Sequence, residues 1–199
     1  RSNELIDRVY LNDGNGNFTK DTQDDLENYT ISGKSVTHID FDNDGDKDII
    51  VGNRIQTKKY PIHEPSIIYE NRVGKLYNNT YNIAPDFENF GIVNKVITTD
   101  FNNDGWEDFI AVGEWTNIGL FLNEMGTFRN ISRENDIDDL YGLWFNIQET
   151  DVNNDGFKDY IIGNIGGNSK YKTSKDKPLK IFGNDFDGNG THDLVLSYK

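Results

Sequence analysis

Four acidic stretches hold the residues of this chain whose types and spacing could do chemistry. They are Asp40-Phe-Asp-Asn-Asp-Gly-Asp-Lys-Asp48, Asp100-Phe-Asn-Asn-Asp-Gly-Trp-Glu-Asp108, Asp151-Val-Asn-Asn-Asp-Gly-Phe-Lys-Asp159 and Asp185-Phe-Asp-Gly-Asn-Gly-Thr-His-Asp193. Counting from the first Asp, oxygen-bearing side chains fall at positions 1, 3, 5 and 9, with Gly at position 6. These are Asp40, Asp42, Asp44 and Asp48; Asp100, Asn102, Asp104 and Asp108; Asp151, Asn153, Asp155 and Asp159; and Asp185, Asp187, Asn189 and Asp193. A hard cation such as Ca²⁺ takes roughly six to eight oxygens, and alternating carboxylates and amides across a tight turn supply most of them. The Gly allows the sharp turn that aims the next carbonyl inward. Asp46, Trp106, Phe157 and Thr191 follow it and are expected to ligate through the backbone. The pattern predicts up to four Ca²⁺, with Mg²⁺ disfavoured by its demand for rigid octahedral geometry.

The surroundings separate these loops from the helix-flanked type, which needs a bidentate Glu at position 12. Val51, Ala111, Ile162 and Leu196 stand there instead, and Asp at position 9 is read as the substitute ligand. Each loop is followed by a β-branched or aromatic run, and three are preceded by strand-like segments: 36–39, 96–99 and 147–150. The loops therefore close β-hairpins. One such stretch alone could be an ordinary acidic turn; four in register point to metal. The loop with four Asp side chains, 40–48, is expected to bind most tightly.

A second phrase alternates with the first. Val9-Tyr-Leu-Asn12, Ile67-Ile-Tyr-Glu-Asn71 and Leu120-Phe-Leu-Asn123 each lead through a Gly turn to Phe or Tyr, which predicts outer hairpins. Asp13, Asn15 and Asn17 resemble a fifth ion loop but lack the ninth-position Asp, so the hairpin reading is preferred. The acidic loops begin 60, 51 and 34 residues apart. A period of ~40–60 residues with four strands is the signature of a β-propeller blade. The predicted fold is all-β, about three and a half four-stranded blades with calcium-binding hairpin loops. The expected units are 1–30 (partial), 31–90, 91–140, 141–180 and 181–199 (partial). In an alternative geometry, residues 7–20 complete the final blade.

The chain has 199 residues, 34 acidic against 20 basic, with a net charge of −14. That balance argues against a nucleic-acid partner, which needs a basic face. Four Ca²⁺ would bring the charge to −6, so the metal-free form should suffer more self-repulsion. There is no Cys, hence no disulfide, and no apolar run approaches the about 18 residues needed to span a bilayer. The chain opens on Arg with no visible signal peptide and is expected to be a piece of a longer protein.

Residues 54–65 read as a solvated loop carrying Lys58, Lys59, Tyr60 and His63, with ligand contact as the alternative. Tyr141-Gly-Leu-Trp-Phe145 is expected to be buried. Residues 165–178 form the one basic stretch and leave no room for an outer hairpin. Trp115 and Trp144 read as blade-packing residues ahead of sugar platforms. His38, His63 and His192 show no spacing suited to a metal triad or a nucleophile–base pair.

The Asp-x-Asp/Asn-x-Asp-Gly-x-x-Asp hairpins with the Leu-Asn-x-Gly-x-Phe phrases resemble FG-GAP/VCBS repeats of β-propellers, a type also seen in integrin α-subunit heads. Val112-Gly-Glu-Trp115, Gly142-Leu-Trp-Phe-Asn146 and Gly163-Asn-Ile-Gly-Gly-Asn-Ser-Lys170 are similar to bacterial surface proteins of the ASPIC/UnbV-associated, cartilage-acidic-protein-like group. That resemblance implies an extracellular or outer-surface propeller, commonly of about seven blades and longer than this chain. The calcium loops, the aromatic residues near loops and the lack of a recognisable catalytic set favour a non-catalytic binding or scaffold module contacting glycan or protein partners through face loops. The enzymatic alternative is part of a calcium-dependent polysaccharide lyase or other carbohydrate-active enzyme, for which Lys170, Tyr171 and Lys172 are the candidates.

Overall fold

The computed structural model describes residues 5–166 and 170–198. Antiparallel β-sheet dominates. One complete blade comprises β3 (Gly33–Ile39), β4 (Asp48–Asn53), β5 (Ile67–Arg72) and β6 (Lys75–Asn78), hydrogen-bonded in that order. A second follows with β7 (Ile92–Thr99), β8 (Asp108–Thr116), β9 (Gly119–Asn123) and β10 (Phe128–Asn130). In each, the acidic loop joins the first two strands, and a two-residue turn joins the last two. Val73-Gly74 and Met125-Gly126 make those turns with φ of 54° and 82°, and 54° and 96°. Positive φ at both positions is the type I′ geometry whose twist matches the flanking strands.

The β-branched runs after the acidic loops become the second strands. β4 and β8 are buried on both faces because successive blades stack face to face, which is why they read as continuous apolar segments rather than alternating ones. Between the two blades lies a core of Ile39, Phe41, Ile50 and Ile68 against Val93, Val96, Phe109 and Phe121. The Phe109 and Phe121 rings stack at 4.5 Å, and Phe87 meets both edge-on. At Gly52 a Cβ would lie 2.4 Å from Val93 Cγ1, so a side chain there would force these blades apart. First strands also neighbour one another: Ser35 Oγ on β3 accepts the Val96 N–H of β7.

Three short helical turns were not legible in the β-pattern: α1 (Asp24–Glu27), α2 (Thr80–Ile83) and α3 (Pro85–Glu88). The last places Phe87, fully buried, into the interblade core.

The remaining hairpins are simpler. β1 (Val9–Asn12) pairs only with β2 (Phe18–Asp21) among the described residues, and Val9 packs near Leu26, Ile31 and Tyr69. β13 (Lys180–Asn184) and β14 (Asp193–Ser197) form another two-stranded sheet. The geometry in which 7–20 completes the final blade is therefore not adopted. β11 (Gly142–Thr150) pairs with β12 (Asp159–Asn164) and, through its first residues, with the end of β8. Tyr141 and Phe145, expected to be buried, are 70% and 43% exposed. No outer hairpin follows β12 among the described residues, and the Phe145 ring is met only at a distance, by Lys34 Nζ at 5.9 Å from its centroid. Trp144 does pack, half-buried beside Ile110, Val112 and Ile147.

The 54–65 loop is not simply solvated either. Tyr60 is half-buried; its hydroxyl donates to Glu114 Oε2 at 3.0 Å. Arg54 pairs with the other oxygen at 2.7 Å.

Candidate metal centres

Each acidic loop is shaped by bonds within its own nine residues. In the second loop Asp104 N–H donates to Asp100 Oδ1 and Asn102 Oδ1, and Gly105 N–H donates to Asp100 Oδ2. The third loop repeats this with Asp155, Asp151, Asn153 and Gly156. The last does so with Asn189, Asp185, Asp187 and Gly190. The glycines at position 6 have φ of 93°, 87°, 87° and 83°, the left-handed region that favours Gly. Trp106, Phe157 and Thr191 N–H groups donate to the position-5 side chain. Asp46 does likewise to Asp44, while its own carboxylate turns outward to accept the Val73 N–H. Of the position-7 side chains, that of Asp46 is thereby engaged outside its own loop.

The first loop differs at Asp40. Its Oδ1 is buried and has no hydrogen-bond partner. Such an atom costs about 1–3 kcal/mol unless something electropositive meets it. Asp40, Asp42 and Asp48 place ligand oxygens within 4.8 Å of one another, as do Asp185, Asp187 and Asp193. These two triads could hold metal ions such as calcium. The donor set is all oxygen, which suits a hard cation rather than zinc or copper. In the second and third loops an Asn replaces the middle Asp, and its Nδ2 donates to the next carboxylate at 2.8 Å.

The ninth-position Asp has a second task, visible only in three dimensions. Its Oδ2 accepts the position-2 N–H in every loop: Phe41, Phe101, Val152 and Phe186. In the two complete blades its Oδ1 also accepts an N–H from the outer hairpin, from Asn71 or Asn123, both at 2.8 Å. Asp48 and Asp108 are essentially inaccessible. Burial, ahead of repulsion from neighbouring Asp, pushes each up to about 6. Burial is also the main force raising Asp42, assisted by Asp44 and Asp40. Asp185, at the surface, moves the other way because the Gly190 N–H stabilises its charge.

The loops of neighbouring blades touch. Glu107 of the second loop accepts the Asp40 N–H at 2.7 Å and pairs with Lys47 at 3.4 Å. Lys158 of the third reaches Thr99, the residue before the second loop. Asn123 straps the first two blades together. Its Nδ2 donates to Phe41 O at 2.8 Å and Glu107 O at 3.0 Å, and its Oδ1 accepts the Gly126 N–H. Asn71 holds only its own blade, through Lys47 O. The recurring Asn before each outer turn was the available signal for these straps. Asn123→Ala leaves one buried and one half-buried carbonyl without that donor and should cost on the order of 2–3 kcal/mol in chemical denaturation. Asn71→Ala, whose strap is exposed, should cost less than half of that.

The Asp13–Asn17 stretch is a hairpin turn, as preferred from the sequence: Asn17 Nδ2 donates to Asp13 Oδ2 at 2.7 Å. Asp13 also accepts the Asn15 and Asn17 N–H groups.

The pattern of FG-GAP-like repeats matches residues 2–51 and 100–162. The chain belongs to the FG-GAP-like repeat family. The matched segments contain the first three acidic loops, so the repeats are propeller blades whose loops lie at the β3–β4, β7–β8 and β11–β12 junctions. No curated protein matches the chain significantly.

Proposed function

We propose that this FG-GAP repeat segment is a calcium-stiffened, non-catalytic recognition module of an extracellular or bacterial outer-surface protein. The observation that carries the calcium reading is the unpartnered, buried Asp40 Oδ1 inside a triad of carboxylates. The ligand sets would be the side chains of Asp40, Asp42, Asp44 and Asp48 with the Asp46 carbonyl, and their counterparts in the other loops. Those are Asp100, Asn102, Asp104, Asp108 and the Trp106 carbonyl; Asp151, Asn153, Asp155, Asp159 and the Phe157 carbonyl; and Asp185, Asp187, Asn189, Asp193 and the Thr191 carbonyl. Bound calcium supplies positive charge that ties together residues nine apart and offsets the net charge of −14. Extracellular calcium modules bind with Kd of roughly 10⁻⁴–10⁻³ M, so in the proposed location millimolar calcium would load such loops. The Gly-Glu-Trp phrase at 113–115 and the Gly-Leu-Trp-Phe-Asn phrase at 142–146 favour kinship with the ASPIC/UnbV-associated group. The third supporting phrase, 163–170, includes residues 167–169, which lie outside the described residues. Recognition would use the face loops, with a glycan or a protein as the partner.

Thermal melts in excess Ca²⁺, in chelator and in Mg²⁺ test the reading. Saturating one site at ~100 times Kd adds about 2.7 kcal/mol, or roughly 5–10 °C for a chain of this size. We expect a calcium-specific rise that Asp40→Ala reduces. Identical melts in all three conditions overturn it.

A further inference from the structure

The end of β8 carries a residue in an unusual conformation. Gly142 and Leu143 of β11 pair with Thr116 and Glu114, so Trp115 is the extra residue of a β-bulge. Its φ is 61°, left-handed, where a glycine would be at ease and a bulky aromatic is strained. It is the one aromatic residue with positive φ among the described residues. Bulges and such outliers concentrate where a side chain must be re-aimed for function. A chain of hydrogen bonds holds it in place. The Trp115 indole N–H donates to Tyr60 Oη, the Tyr60 hydroxyl donates to Glu114, and Arg54 pairs with Glu114. Burial, aided by the Glu114 charge, pushes Tyr60 up to about 12, so it stays a donor.

The ring held in this way forms one wall of a cavity of about 680 Å³. Tyr141 and Tyr171 supply further aromatic surface, and Asn164, Asp139 and Lys175 add polar groups. That size and mixture of aromatic wall and few polar groups match small-molecule sites. Asp139 and Lys175, the charged side chains among the described lining residues, pair with each other, so neither charge is left over for an ionic ligand. The chain's net charge of −14 repels anions at long range.

We propose that this cavity binds a neutral saccharide, with Trp115 and Tyr141 as stacking platforms. A sugar ring has a C–H face and a hydroxyl rim. Aromatic faces, negative at the ring centre, attract polarised C–H groups, and the polar wall serves the hydroxyls. The inference rests on the recognition-module reading and names its partner class. It gives Trp115 the sugar-platform role that ranked behind blade packing in the sequence.

The test is ligand-observed NMR with the calcium-loaded protein and a panel of cellobiose, maltose, lactose and mannobiose, with digalacturonate as the anionic control. We expect saturation transfer to at least one neutral disaccharide. Tyr141→Ala and Trp115→Gly should each weaken it roughly tenfold or more. Tyr141 is largely exposed and Gly tolerates the backbone at 115, so both variants should keep the calcium-dependent melt. No transfer from any neutral sugar, binding unaffected by both substitutions, or preference for digalacturonate overturns the proposal. If the sugars fail while the calcium-specific melt persists, the pocket assignment falls and the module reading stands. If calcium has no effect on the melt, the module reading itself falls, whatever the sugars do.

Discussion

Phe109→Ala is expected to destabilise the calcium-loaded chain by about 3–5 kcal/mol, the range for emptying a large aromatic site in a packed core. Phe109 is fully buried, stacks on Phe121, and meets Phe87 and Phe128 edge-on at 4.9 and 4.8 Å. Its neighbours come from both blades and from α3, so the vacancy cannot be closed by moving one side chain. A domain holds only about 5–15 kcal/mol in total, so this one ring is a large share of the stability. Urea denaturation should show a lower midpoint with an unchanged slope, the mark of lost stability rather than altered compactness. Phe186→Ala serves as the control. Phe186 is 63% exposed, and its removal should stay within about 0.5 kcal/mol. Equal losses for the two would mean that the interblade core is not where the structure places it.

The second large effect is a reversal of pH dependence on adding calcium. Asp48 and Asp108 are pushed up to about 6, whereas an unfolded Asp titrates near 3.9. The metal-free folded state therefore holds protons more tightly than the unfolded state. The associated stability is fully present below about pH 4 and is lost as pH rises through about 6. Each residue accounts for on the order of 2–3 kcal/mol, so the metal-free chain should lose about 5 kcal/mol between those limits. Calcium requires the ionised carboxylates, so its stabilisation grows over the same window. Melting temperatures with calcium and with chelator should diverge most at pH 7–8 and converge near pH 4.5. Parallel curves across the range would show that these two Asp residues do not take part in ion binding. Asp48→Asn should flatten the metal-free dependence by about half.

The loops were legible because everything that shapes them is local. Ligand atoms, Asx-type hydrogen bonds and the positive φ at Gly45, Gly105, Gly156 and Gly190 all fall within nine consecutive residues. The strands after them were legible for a related reason: a β-branched run bounded by Asp-Gly and Gly turns has few alternatives. Short helical turns such as 80–83 and 85–88 were not, because four residues carry too little periodicity to reveal themselves.

Position 2 of the acidic loops shows where local information stops. It holds Phe41, Phe101, Val152 and Phe186, apolar in each case, yet Phe41 is 3% exposed and Phe186 63%. A following blade covers Phe41; among the described residues nothing comparable covers Phe186. The same limit applies to the straps and the cavity. Asn123 meets Phe41 across 82 residues, Glu107 meets Asp40 across 67, and Trp115 meets Tyr60 across 55. The sequence by itself determined that this protein is made of blades and which loops within them carry the spacing of oxygen-bearing side chains, because those are properties of contiguous residues. Only the tertiary structure decided which Asp is buried and left with an unpartnered oxygen, how neighbouring loops clasp, and that Trp115 faces a cavity. Those depend on how one blade stacks upon the next.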